Sequence, residues 1–432
     1  MASGIGTLSE KIGDASQTGL DLISKFKENK YYNRGKVPTI HTINPITEEG
    51  PYQFIIGGYN CPDLVMLNTI RLTAKFKVVK LDGQNLSADD HVSLVNSPIH
   101  SLFDNIIVQL NGNVISDQTR QYPYKAYFTQ TFSYNEQTKK NNLQGEYYLE
   151  DDSDKTTVSM PEDIDGDNCE SVLAIRKEWI ANSKSLQATI IPYIDISSSS
   201  HYLSPGHCLH LEFERSRSSF SLLANNNGYK IVIEDLFLSA RYLDPTQNIS
   251  STLQKYKNNS TIQYQITRNI IRTRQFHAGI SQIHVNNIFT SGDAKLPRAL
   301  YVFFLEDGQI SGAINKNPFI FTHQNVMESQ IFVNGFPYPM KPIETNFTEN
   351  KINIMPAYKN FLDNIGVSDN DCDVGITPNK YMTNMFVMAY DLSPTGVRIY
   401  QIKNVYIKIY SKNFLLKNRI TVYSPTNNNM VI

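Results

Sequence analysis

The chain of 432 residues has little of what staples or anchors a protein. It has four cysteines, Cys61, Cys169, Cys208 and Cys372, far apart and without a CxxC pair. That spacing disfavours a disulfide framework. No run of about 18 apolar residues occurs, so no helix predicted from the sequence spans a membrane. The first residues lack the short apolar core behind basic residues that marks a secretory leader. The expectation is a product made and assembled inside a cell. Charge of one sign is also missing: 40 Lys and Arg stand against 41 Asp and Glu. No global field then favours nucleic acid or an anionic surface, and any such contact must be local.

There is one Trp, but 25 Tyr and 21 Phe. The apolar residues fall in short β-branched and aromatic runs broken by Asn, Gly, Asp, Ser and Pro. That is the pattern of an all-β protein. Period-two alternation predicts strands at Tyr52–Gly57, Leu67–Lys80, Asn105–Val114, Leu186–Tyr193, Cys208–Glu214 and Lys230–Tyr242. Further on it predicts them at Ile262–Ile271, Gln282–Phe289, Arg298–Leu305, Gln330–Val333, Met385–Tyr390, Val405–Tyr410 and Arg419–Tyr423. Only Tyr124–Phe132, Tyr358–Ile365 and a polar stretch after Pro245, Gln247–Lys257, read as helix. Between Glu150 and Glu170 nine carboxylates meet a single Lys155, which predicts a solvated loop.

Three short signals recur in order. Asp82-Gly83-Gln84 and Asp307-Gly308-Gln309 each follow a strand, 225 residues apart. Asn111-Gly112 and Asn334-Gly335 are offset by 223, and Tyr124-Lys125-Ala126-Tyr127-Phe128 and Tyr358-Lys359-Asn360-Phe361-Leu362 by 234. Asp-Gly and Asn-Gly are common hairpin turns. It is the preserved order that argues for a duplicated domain. Two β domains of nearly 200 residues, each with about eight strands and one helix in a long connection, suit a pair of Greek-key jelly rolls. The expected division is an arm over 1–48, a first jelly roll over 49–244, a helical connector over 245–257 and a second jelly roll over 258–432.

The residues also carry a resemblance. Glu49-Gly50-Pro51-Tyr52-Gln53-Phe54-Ile55-Ile56-Gly57 is followed by the run from Ala74 to Gly83, by His100-Ser101-Leu102-Phe103 and by Gln109-Leu110-Asn111. Then come Tyr122-Pro123-Tyr124-Lys125-Ala126-Tyr127 and Tyr147-Tyr148-Leu149-Glu150-Asp151. This resembles the capsid-protein pattern of Polinton (Maverick) elements and adintovirus-like DNA viruses. The match is dense over residues 49–155. Beyond them it thins to segments such as Asn317-Pro318-Phe319 and Ala389-Tyr390-Asp391-Leu392. The resemblance implies a major capsid protein with a double jelly roll. Its homotrimers would form pseudo-hexagonal capsomers and tile an icosahedral shell around a DNA genome. It also implies trimer–trimer contacts, a penton or minor capsid protein as partner, and a place in the virion.

Catalytic signatures are scarce. GxxxxGK[ST], GxSxG and HExxH do not occur. The densest ligand set is His201, His207, Cys208 and His210. A cupin-like site needs two histidines at i and i+2, whereas on a strand His207 and His210 point to opposite faces. Asp163-Ile164-Asp165-Gly166-Asp167-Asn168 has its Gly at the fourth place of the run, where an EF-hand loop needs it at the sixth. Arg268, Arg272 and Arg274 alternate with Ile262, Tyr264 and Ile266, which reads as a strand leaving the core and not as sequence-specific nucleic-acid recognition. No enzyme activity and no cofactor are expected. A bicupin-type enzyme and a lectin-like receptor-binding protein are the alternatives to a capsid role.

The arm carries the candidate contact residues. Ile5, Leu8, Ile12, Ala15, Gly19, Leu22 and Phe26 recur at three and four residues, an apolar seam about 30 Å long if helical. Gly6, Gly13 and Gly19 each cost such a helix about 1 kcal/mol. Lys25, Lys27, Lys30, Arg34 and Lys36 follow with only Glu28 against them. The seam residues Ile5, Leu8, Ile12, Leu22 and Phe26, with Lys25, Lys27 and Lys30, are therefore expected to order only on a surface. A neighbouring capsomer, a lipid layer, the packaged genome and the chain's own domain are the candidate surfaces.

Overall fold

A computed structural model of the chain describes residues 31–117, 120–159, 171–259, 263–290, 298–347, 353–367, 373–392, 404–411 and 418–431. The strands of the first half are β1 (Tyr32–Lys36), β2 (Thr39–His41), β3 (Tyr52–Gly57), β4 (Leu64–Lys80), β5 (Val92–Leu94) and β6 (Phe103–Leu110). They continue as β7 (Asn113–Asp117), β8 (Leu186–Ile190), β9 (Tyr202–Leu203), β10 (Cys208–Arg215), β11 (Leu222–Ala224) and β12 (Tyr229–Pro245). The second half holds β13 (Gln263–Phe276), β14 (Gln282–Thr290), β15 (Ala299–Glu306), β16 (Val326–Val333), β17 (Phe336–Glu344), β18 (Met388–Asp391), β19 (Asn404–Ser411) and β20 (Asn418–Val431).

Each half is built on two facing antiparallel sheets, and the first half adds a two-stranded sheet, β11-β5. The first pairs β1-β12-β4-β8, with β2 also on β12 and β9 on β4, and faces β3-β10-β6-β7. In the second, β13-β20-β15-β18 faces β14-β19-β16-β17. Taking β1 and β2 as one broken edge strand, the two orders are identical, a crossed Greek-key order that makes each half a jelly roll. Alternation builds each core. Along β4, Leu72, Ala74, Phe76 and Val78 point inward and are fully buried, while Lys75 and Lys77 point out.

The two Asn-Gly pairs sit in equivalent hairpins, β6–β7 and β16–β17. Asn111 and Asn334 have φ 50° and 53°, Gly112 and Gly335 have φ 85° and 88°. Positive φ at both central residues is the type I′ turn that suits the strand twist, which is why Asn-Gly stands there twice.

The helix signal also lands on equivalent elements, Tyr122–Ser133 between β7 and β8 and Met355–Ile365 between β17 and β18. The Asp-Gly-Gln signal does not. After β4, Asp82-Gly83 makes a turn with Gly83 at φ 87°. After β15 the same tripeptide opens a short helix, because Glu306 and Gln309 form a reciprocal capping box there.

Two further expectations need correction. The first jelly roll begins inside the segment assigned to the arm, since Tyr32–Lys36 pairs with β12 and Thr39–His41 does so further along. Every residue of β1 is exposed, so its sequence carries no alternation to read. The start of the acidic stretch is not a solvated loop either. Glu150 is held by Lys139 and Lys380, and Asp151 by Arg176. Residues 160–170, with the calcium-like run, lie outside the described residues.

Candidate assembly surfaces

The Tyr122–Ser133 helix joins the two sandwiches. Toward its own half it presents Ala126, part of the first core, and Gln130, which accepts from Ser97 Oγ at 2.5 Å. Lys125 on the same helix reaches Asp195 at 2.5 Å, with both side chains buried. Toward the other half it presents aromatic rings. Tyr127 stacks on Phe319 with centroids 4.6 Å apart and planes 6° apart. Phe128 packs on Phe303 at 4.7 Å and Phe321 at 5.1 Å, and Phe132 on Phe361 at 5.3 Å. Tyr124, Tyr127 and Phe128 thereby belong to the second core.

Charged groups staple the same seam. Arg176, with no exposed surface, donates to Asp151 at 2.8 Å and to the Leu149 carbonyl. Lys139 lies 3.3 Å from Glu150 and donates to the Val374 carbonyl at 2.7 Å, and Lys380 also binds Glu150. Burial alone would raise the Glu150 carboxyl, but Lys139 and Lys380 beside it hold it below the ordinary range. Lys316 ties the Glu306 carboxylate, at 2.6 Å, to the Thr157 hydroxyl, also at 2.6 Å. Charge pairs at the seam, with apolar rings between them, tie the two jelly rolls into one block.

The candidate residues Ile5, Leu8, Ile12, Leu22, Phe26, Lys25, Lys27 and Lys30 lie outside the described residues. Where the arm meets the fold, Lys36 pairs with Asp63 at 2.7 Å. The histidine set does not converge. Leu209, Leu211 and Phe213 of β10 face the core, leaving Cys208, His210 and Glu212 on the opposite face. His207 Nδ1 lies 2.7 Å from Asn111 Nδ2, and His201 packs edge-on to Tyr264. Among the described residues no group of three or more His, Cys, Asp or Glu could hold a metal ion, and no described helix is long and apolar enough to cross a membrane. In the arginine stripe, Arg272 donates to the Ile288 carbonyl at 2.5 Å, a structural use of the side chain.

One histidine gives the fold an acid sensitivity that the sequence did not signal. The His323 ring lies flat on Phe347, with centroids 3.8 Å and planes 10° apart, and its Nδ1 accepts the Asn325 N–H at 3.0 Å. Burial lowers its pKa to about 4. An unfolded histidine takes up its proton near pH 6.5. As pH falls from there toward 4, the unfolded chain binds the proton and the folded chain does not, so stability is lost across that window. The expected loss is about 2 kcal/mol after allowance for partial exposure. Asp104, raised by burial to about 6, acts with the opposite sign. The measurement is therefore the difference between the parent chain and His323→Gln in urea unfolding from pH 7 to pH 4. That difference should shrink with acid, and a constant difference would contradict the assignment.

The outer faces of equivalent strands differ. Met388 opposite Val302 opens the β18–β15 pairing, and Leu186 opposite Phe76 opens the β8–β4 pairing. In that register Tyr301 and Phe303 correspond to Lys75 and Lys77. The aromatic pair is buried under the Tyr122–Ser133 helix. The lysine side chains are 43% and 34% exposed and flank Glu234 at 3.3 and 3.2 Å.

No family model matches the chain. A Caenorhabditis elegans protein named "Uncharacterized protein F54H12.2" is 23% identical over 369 residues, 82% of each chain. Among solved structures, a chain of the Sputnik virophage, from a cryo-EM structure, superposes with a TM-score of 0.65 at 11% identity, covering 95% of this chain and 88% of that one. A chain of the PBCV-1 virus capsid gives 0.52 at 12% identity, with 95% and 97% covered. The Faustovirus major capsid protein gives 0.52 at 10% identity, with 95% and 92% covered. With the strand order above, these likenesses establish the fold as a double jelly roll.

Proposed function

We propose that the chain is a major capsid protein of the Polinton and adintovirus-like lineage. Three copies close into a pseudo-hexagonal capsomer, and capsomers tile an icosahedral shell around DNA in the virion. The observation that carries this reading is the pair of topologically identical jelly rolls fused by a buried aromatic and charged seam. Two like walls per rigid chain give a threefold ring six similar walls, the shape that fills sixfold places in a lattice. The likeness to the PBCV-1 capsid and to the Faustovirus major capsid protein supports it. A penton or minor capsid protein would fill the fivefold places. The central chemistry is self-association, without an enzyme step.

In this reading the arm acts between capsomers or on the inner face of the shell. Deleting residues 1–30 removes no described strand, because pairing begins at Tyr32. The truncated protein should keep its melting temperature and its oligomeric state but give fewer closed particles by electron microscopy. Leu22→Asp with Phe26→Asp should do the same, since a buried unpaired charge costs several kcal/mol. Neutralising Lys25, Lys27 and Lys30 separates the contacts: a salt-dependent loss of particles points to anionic lipid or genome, and no loss to an apolar capsomer contact. Truncated protein that closes shells as well as the full chain would refute the role given to the arm.

A further inference from the structure

An open sheet has edges, and an edge strand presents main-chain groups that another chain can pair with unless something blocks it. Most edges of this molecule are blocked. β17 carries Pro337, Pro339 and Pro342, which have no N–H to give. β18 is four residues long, and Asn360 of the Met355–Ile365 helix donates to its Ala389 carbonyl. β13 lies against the first jelly roll: its Tyr264 is part of the first core, and its Thr273 hydroxyl accepts from Gln121 at 3.2 Å. β1, β7 and β8 are short, at five residues each. β3 is covered by the segment just before it. There the Ile43 N–H donates to the Gln53 carbonyl at 2.8 Å, and the Asn44 side chain accepts the Gln53 N–H at 3.0 Å.

The strand that holds the place of β3 in the second half is β14, and its edge is open. β14 pairs on one side with β19, and the Ser411 N–H that meets the Ser281 carbonyl at 2.9 Å sets the phase of that ladder. Ile283 and Val285 therefore turn their main-chain groups toward β19, while Gln282 and His284 turn theirs away. Among the described residues nothing takes the main-chain N–H or C=O of Gln282 or His284. Both residues are exposed, with buried Ile283 between them. Beside this edge runs a groove of about 470 Å³, lined in part by Arg274, His277, Ile280, His284 and Val285 and by no Asp or Glu. Gln275 in the lining donates to Asp307, outside it, at 3.0 Å. Arg272, next in the arginine row of β13, already reaches the Ile288 carbonyl of β14. We infer that β14 takes an extended, acidic segment of another protein as an added strand. The same place in the first half is filled by a length of chain bonded to the main chain of β3, so the site accepts backbone. The arginine row, facing no carboxylate in the lining, selects acidic side chains. Main-chain bonds then supply affinity and the charges supply choice of partner. The assignment does not depend on the assembly reading.

The test titrates the full chain with a short peptide alternating valine and glutamate. Fluorescence anisotropy gives the affinity, and hydrogen exchange read by mass spectrometry gives the place. Binding should bring protection over residues 281–286. The same peptide methylated on its amide nitrogens keeps its charges and loses its donors, and it should not bind. A peptide alternating valine and lysine should bind more weakly by about tenfold or more. Arg274→Gln should weaken the glutamate peptide about tenfold. His284→Pro removes an outward N–H at an edge position, where proline is tolerated, so binding should be lost with the melting temperature kept. If that variant unfolds, the methylated peptide on the parent chain decides. No binding, equal binding of the methylated peptide, or protection elsewhere on the chain would overturn the assignment. So would tighter binding of single-stranded DNA or of a peptide of residues 1–30, or protection of residues 281–286 before any peptide is added.

Discussion

Phe128→Ala is expected to destabilise the chain by about 3–5 kcal/mol, the range for removing a large aromatic ring from a packed core. Phe128 is 1% exposed and its ring meets Phe132, Phe303 and Phe321 within 5.1 Å. Its helix belongs to the first jelly roll in sequence, yet its ring belongs to the second core. The cavity would therefore open between the sandwiches. The unfolding transition should lose cooperativity as well as midpoint, since two domains each with its own core can then unfold separately. Phe128→Leu, which keeps most of the volume, should lose less. Denaturant unfolding followed by tyrosine fluorescence and by far-ultraviolet circular dichroism reads both effects. Coincident transitions with an unchanged midpoint in the alanine variant would show that the ring is not the link.

Asp151→Ala should cost a similar amount, about 3–5 kcal/mol, for a different reason. The substitution leaves the Arg176 guanidinium fully buried with carbonyl oxygens as its remaining partners and no counter-charge. Arg176→Met with Asp151→Ala removes both charges and should recover most of the loss, because an apolar chain of similar volume can replace a buried pair. Thermal unfolding of the three variants measures the difference. A double variant as unstable as Asp151→Ala would place the cost elsewhere in the loop, at the Asn384 side chain that donates to the Asp151 carbonyl for example.

What the sequence made legible follows from which residues have local causes. Long strands with one face in a core, such as Leu64–Lys80 and Tyr229–Pro245, announce themselves by alternation. The Asn-Gly hairpins are readable because the backbone at φ near 50° and 85° selects those two residues. Edge strand β1 was illegible, because what forms it is hydrogen bonding to β12 and not burial of its own side chains.

The short helices Glu136–Asn141, Val172–Trp179 and Pro378–Thr383 were missed for the same kind of reason. Each has eight residues or fewer, and each is capped by the side chain of Asn135, Ser171 or Thr377. A cap carries little periodicity. The seam was half visible: Tyr124, Tyr127 and Phe128 read as a helix face, but nothing in their spacing says that the face belongs to the other domain. Arg176 and Asp151, 25 residues apart, gave no signal as partners.

The central claim, a self-assembling capsomer built from this double jelly roll, is tested most directly by the native mass of the purified full chain across a range of concentrations. The expected result is a species at three times the 49.1 kDa chain mass that persists on dilution and gives six-lobed, threefold outlines in class averages. A monomer of 49.1 kDa at every concentration would contradict it.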